Sequence, residues 1–130
     1  MTIESQKAAF RKRTKAFASG VVRLFCSLPK TRPEAQIIGR QMLRSGTSVA
    51  ANYREASRPR SPAEFVSKIE QCAQEADETL LWLELLREDC GVDGELIVAL
   101  MREADELIAI FVTMAKRVKE GQRQKLKDET

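Results

Sequence analysis

The sequence predicts an all-α protein, an antiparallel up-down-up-down four-helix bundle. Three observations lead there. Apolar residues recur at three- and four-residue spacings through most of the 130 residues, the pattern of amphipathic helices. The breaks between those runs are short, at Pro29, at Arg58-Pro59-Arg60 and at Cys90-Gly91, which suits antiparallel neighbours joined by tight connections. No stretch alternates with period two, so nothing reads as a strand.

The first helix is expected from Ile3 to Leu28. Phe10, Thr14, Phe17, Val21, Leu24 and Leu28 fall on one face, and Pro29 ends the run. The second opens near Pro33, because proline suits a first turn whose N–H groups have no intrahelical partner. Its inward face takes Ile38, Met42, Ser45, Val49 and Asn52 or Tyr53, while Gly46, Ser48, Ala50 and Ala51 let a neighbouring backbone come close. Asn52 is a candidate for a hydrogen bond between helices. Ser61, Pro62 and Glu64 form a capping box for the third helix. Its seam is Phe65, Ile69, Cys72, Ala76, Leu80 and Leu83, and Gly91 marks its end. Asp93 is expected to cap the fourth helix, whose seam is Leu100, Ala104, Leu107, Phe111, Met114 and Val118. Residues 1–120 make one domain on this reading. Residues 121–130 are polar, basic and without periodicity, and are expected to be a disordered tail.

Composition closes several kinds of chemistry. The chain has no histidine, which removes Ser-His-Asp and Cys-His nucleophile systems and the usual zinc sites. Three widely spaced cysteines, Cys26, Cys72 and Cys90, form no C-x-x-C pair and read as buried hydrophobes of a reducing cytoplasm. The six glycines are scattered, so no phosphate loop is present. Neither cofactor nor metal is expected. The longest apolar stretch, Leu80 to Leu86, is interrupted by Glu84 and falls far short of a membrane span. A non-enzymatic cytoplasmic protein follows.

The net charge of +3 conceals a division. Residues 1–61 carry 13 basic and three acidic side chains, whereas residues 62–95 carry two basic and ten acidic. Arg40, Arg44 and Arg54 share the outer face of the second helix, with Arg58 and Arg60 in the loop beyond. A line of guanidinium groups can follow a phosphate backbone. Lys116, Arg117 and Lys119 open a second basic cluster that runs on through Arg123, Lys125 and Lys127. Those cations also complement a helix C-terminus. Arg11, Lys12, Arg13 and Lys15 have the same two readings open. Glu75 with Glu78, and Glu103 with Asp105 and Glu106, are expected as solvated or inter-subunit carboxylates.

Hydrophobic residues exceed what one core stripe needs. Leu81, Trp82 and Leu85 on the third helix and Ile97, Met101, Ile108 and Val112 on the fourth form a candidate oligomer interface. Contact between the basic half of one copy and the acidic segment of another would be heterologous, and such contacts close into rings when the rotation permits.

The motifs LPK at 28–30, RSGTSVAANYREA at 44–56, SPAEF at 61–65 and ETLLWLELLRE at 78–88 resemble a bacterial four-helix bundle family. That family was first described for proteins encoded by intervening sequences in 23S rRNA genes, and is often labelled S23 ribosomal protein. Where the family has Asn-Ile-x-Glu-Gly, this chain has Asn52, Tyr53, Arg54, Glu55 and Ala56. The resemblance implies a bundle assembling as a homopentamer. It also implies kinship with accessory variability determinants of diversity-generating retroelements, which bind a reverse transcriptase and nucleic acid. Two functions are thus expected. One is binding of RNA or DNA through basic surfaces with low sequence specificity; the alternative is a protein-interaction scaffold or accessory subunit.

Overall fold

The structure, a computed structural model, describes residues 2–130. Four helices account for it: α1 (Ile3–Ser27), α2 (Pro33–Ala56), α3 (Pro62–Glu88) and α4 (Glu95–Glu129). Each reversal has a local cause. The Thr2 side chain accepts the Ser5 N–H to start α1, and Leu28 is extended, as suits a residue before proline. Pro33 sits in the first turn of α2. Ser61 Oγ accepts the Glu64 N–H at 3.0 Å, while Glu64 reaches back to the Arg60 N–H at 3.2 Å rather than to Ser61. Gly91 takes the left-handed conformation, φ 71°, that stops α3.

Two boundaries differ from expectation. Gly94, not Asp93, is the N-cap of α4; its φ of 117° suits glycine, and Asp93 Oδ1 accepts the Gly94 N–H at 2.8 Å. The segment 121–130, expected as a disordered tail, instead continues α4 to Glu129 with every residue exposed. Gln, Arg, Lys and Leu are strong helix formers, so this polar run extends the helix without a buried face. At 35 residues, α4 outruns its 24- to 27-residue neighbours and overhangs the bundle.

The seams expected from periodicity form the core, with Val21, Met42, Val49, Ile69, Leu83, Leu107 and Phe111 fully buried. Neighbours along the chain pack most closely, and α1 meets α4 over a narrower strip. Glycines set the α1–α2 approach. Leu28 and Phe25 fill the space at Gly39, and seven residues on, Val21 fills the space at Gly46. The expected polar link between helices is not made by Asn52, which is half-buried. Ser45 Oγ and Thr79 Oγ1, 2.7 Å apart and fully enclosed, join α2 to α3 instead.

Ile97 is a further correction to the sequence reading. It is fully buried inside the single subunit and belongs to the core, so it is not an interface residue. Among the cysteines, Cys72 and Cys90 are buried as expected, but Cys26 is exposed. Burial, reinforced by the nearby Glu55 charge, pushes the Cys72 thiol up to about 12, so it stays protonated and unreactive at neutral pH.

A methyl group at residue 46 would lie 2.9 Å from both γ-methyls of Val21, whose branched side chain has little rotamer freedom. Gly46→Ala should therefore lower stability by about 1–2 kcal/mol, overpacking outweighing the gain in helix propensity. Urea denaturation measures this, and an unchanged or raised midpoint would contradict the close approach.

Candidate nucleic-acid interface

The chain reverses three times, so the start of α1, the end of α2, the start of α3 and the end of α4 meet at one end of the bundle. An aromatic cluster holds that end together. Phe10 packs edge-on against Tyr53 (ring centroids 4.8 Å apart) and Phe111 (5.6 Å), joining α1 to α2 and α4. Arg13 adds a clamp across the narrow α1–α4 seam. Its Nε donates to Glu103 Oε2 at 2.8 Å and its Nη2 to Glu103 Oε1 at 2.6 Å, with a further ion pair to Glu106 at 2.7 Å. The hydrogen bond to Glu103 is the main reason this guanidinium holds its proton more firmly than usual. Of Arg11, Lys12, Arg13 and Lys15 on α1, Arg13 is thus committed to the fold.

The other three face α2. Arg11, Lys12 and Lys15 line a concavity of about 270 Å³ together with Arg54 and Arg58. None of the five is within ion-pair distance of a carboxylate among the described residues. Arg11 Nη1 donates to Ser57 Oγ at 3.3 Å, and the Ser57 hydroxyl donates to the Arg54 carbonyl at 2.9 Å. Ser57, 5% exposed, therefore ties both walls of the cradle. Glu55, the one acid between Arg54 and Arg58, is drawn to Lys68 of α3 at 2.7 Å.

The remaining sequence-predicted cations divide. Arg40, Arg44, Arg58, Arg60, Lys116 and Arg117 do not share one fate, although α2, the loop after it and α4 all leave cations at the surface. Arg44 lies where its charge acts on Glu75 of α3, and Arg60 pairs loosely with Glu64 at 3.4 Å. Lys119 is paired with Glu70 at 2.7 Å and so helps hold α4 on α3. Lys116 and Lys119, with Arg123, rim an α3–α4 groove of about 560 Å³ whose apolar floor includes Phe111 and Val112. Arg40 and Arg44, in the first half of α2, stand apart from the other six, which lie toward the Phe10 end. Arg54 and Arg58 join a set from α1 that no single-helix pattern could assign.

Of the candidate interface residues, Leu81 is 46% and Val112 54% exposed, while Trp82, Leu85, Met101 and Ile108 are half-buried. No group of His, Cys, Asp and Glu side chains among the described residues could hold a metal ion. No described helix is long and apolar enough to cross a membrane.

The family model of the 23S rRNA-intervening sequence protein matches residues 6–113. A solved structure from Bacteroides thetaiotaomicron, a protein of unknown function from the S23 ribosomal protein family, is similar to this chain at 31% identity and a TM-score of 0.74. The match covers 82% of this chain and 97% of that one. No curated protein matches.

One carboxylate on the α2–α3 side is out of balance. Glu75 Oε2 is enclosed without a hydrogen-bond partner. Desolvation, followed by the like charge of Glu78, raises its pKa against the opposing pull of Arg44. A carboxyl whose folded pKa lies above its unfolded one destabilises the fold at neutral pH, and that penalty fades as pH falls through the folded value. Glu75→Gln should raise stability at pH 7 by roughly 0.5–1 kcal/mol, with a smaller gain at pH 5. Thermal melts at both pH values test this; an equal shift at the two would contradict it.

Proposed function

Because the chain belongs to the 23S rRNA-intervening sequence protein family, we propose that it is a non-enzymatic, homo-oligomeric cytoplasmic bundle. It binds RNA or DNA by neutralising backbone phosphates at one end of the bundle. The observation that carries the reading is the segregation of charge by the fold. Residues 2–15, 50–72 and 111–130, which share the Phe10–Tyr53–Phe111 end, hold 15 basic and seven acidic side chains. Residues 16–49 and 73–110, which make up the rest of the bundle, hold seven basic and twelve acidic.

A cationic end of this kind supplies sequence-independent affinity through counterion release, with strong dependence on salt. Phosphate contacts of this sort position a nucleic acid without reading its sequence. Self-association draws on the same segregation. Val22 (41% exposed) and Ile37 (59%) lie on the basic α1–α2 side, and Leu81 (46%) lies in the acidic stretch of α3. Joining those unlike faces head to tail builds a ring, for which five subunits is the number the family resemblance implies.

The α3–α4 groove favours a second reading, a scaffold or accessory subunit for a protein such as a reverse transcriptase. Its apolar floor and its rim of Lys116, Lys119 and Arg123 suit an acidic, partly apolar partner segment.

Filter binding of a mixed-sequence RNA at about 50 and 200 mM salt tests the first reading, with an expected loss of ~10³-fold or more if six or so phosphates are engaged. Replacing Arg54, Arg58 and Lys116 together by Ala should weaken binding to unrelated sequences alike. Light scattering on the same samples should give a multiple of the 14.7 kDa chain mass. Absence of binding at low salt would remove the nucleic-acid reading, and a monomer at micromolar concentration would remove the ring.

A further inference from the structure

We infer that the concavity between α1 and the end of α2 is a discrete site for adjacent phosphate groups rather than one stretch of a diffuse basic surface. The inference rests on the nucleic-acid reading and locates it. Five cations converge there from two helices, Arg11, Lys12 and Lys15 facing Arg54 and Arg58. Their mutual repulsion has no internal counter-charge, since the nearest acid in sequence, Glu55, is drawn away to Lys68 of α3. An assembly of like charges destabilises a fold unless an anion neutralises it.

The number of charges indicates how much anion the site takes. Five cations converge there, and a single phosphodiester, with one negative charge, would leave most of them unmatched. Two or three neighbouring phosphates come closer to balance, whether consecutive along a strand or joined in a free polyphosphate.

The site is also partly organised before binding. Arg11 is anchored at one nitrogen by the buried Ser57 hydroxyl, which leaves other guanidinium N–H groups for a bidentate phosphate contact. Ser57 is accordingly a positioning residue. It reduces the side-chain freedom that Arg11 would otherwise lose when an anion binds. The ring of Phe10 packed on Tyr53 fixes the α1 wall from beneath.

The test uses the whole chain with two probes, a fluorescein-labelled 12-nucleotide single-stranded RNA followed by anisotropy and inorganic pyrophosphate followed by calorimetry. Arg11→Gln with Arg58→Gln is compared with Lys30→Gln plus Arg87→Gln, an equal charge change at the far end. Thermal melts check that both fold. The cradle pair should weaken RNA roughly tenfold or more and lower the salt slope by about 0.7 for each phosphate no longer engaged; the far pair should weaken it much less. Ser57→Ala should reduce affinity in the wild-type background and have no further effect alongside Arg11→Gln.

Equal losses from the two pairs would overturn the site while leaving nucleic-acid binding intact. Pyrophosphate bound only by chains with an intact cradle, with RNA not bound, would uphold the site and overturn the nucleic-acid reading. Neither probe bound at low salt would overturn both.

Discussion

The register between α1 and α2 is the constraint on which the rest of the molecule depends. Val21 and Leu28 are seven residues apart, as are Gly46 and Gly39, and each large side chain fills the space left by one glycine. This match brings two helix backbones closer than ordinary side chains permit and fixes how they slide. Carried back two to three turns, the same register sets Arg11 beside Ser57, and Lys12 and Lys15 beside Arg54 and Arg58. A core contact near the middle of the hairpin therefore decides which charges meet at its end.

Once the register is set, carboxylates sort the cations into two populations. Glu103 and Glu106 take Arg13, Glu55 takes Lys68, and Glu70 takes Lys119. Each of these pairs joins two helices, and being partly exposed each adds at most a modest stabilisation. Their larger effect is geometric. They occupy the acids that would otherwise neutralise the basic end, and Arg11, Lys12, Lys15, Arg54 and Arg58 are left without a carboxylate among the described residues. A ligand that supplies the missing negative charge would bind the folded chain and stabilise it by mass action.

Much of the fold is legible in the sequence because it is written in local signals. Pro29, Pro33, Ser61 and Gly91 act within a turn of themselves, and the helix bounds follow them closely. The end of α4 escapes such signals because periodicity reports burial, and an exposed extension of Lys, Gln and Arg needs none. Ile97 is ambiguous for a related reason. It lies four residues before Met101 and three before Leu100, so it fits both the outer line and the core stripe, and only packing settles the choice. The cradle is half legible. The α2 arginines stand out along one helix, but their company with α1 and the removal of Arg13 and Lys119 into ion pairs are tertiary facts. Gly46 and its small neighbours carry the one local hint, since they signal close approach without naming the partner.

Mapping photo-induced cross-links between a uridine-containing RNA and the intact chain by peptide mass spectrometry tests the central claim most directly, because it reports where along the bundle the strand lies. Adducts are expected within residues 7–15 and 54–60 and on α4 from Lys116 to Lys125, with few between Asp77 and Glu106. Adducts concentrated on that acidic stretch, or spread evenly over all four helices, would contradict the assignment of phosphate binding to the basic end.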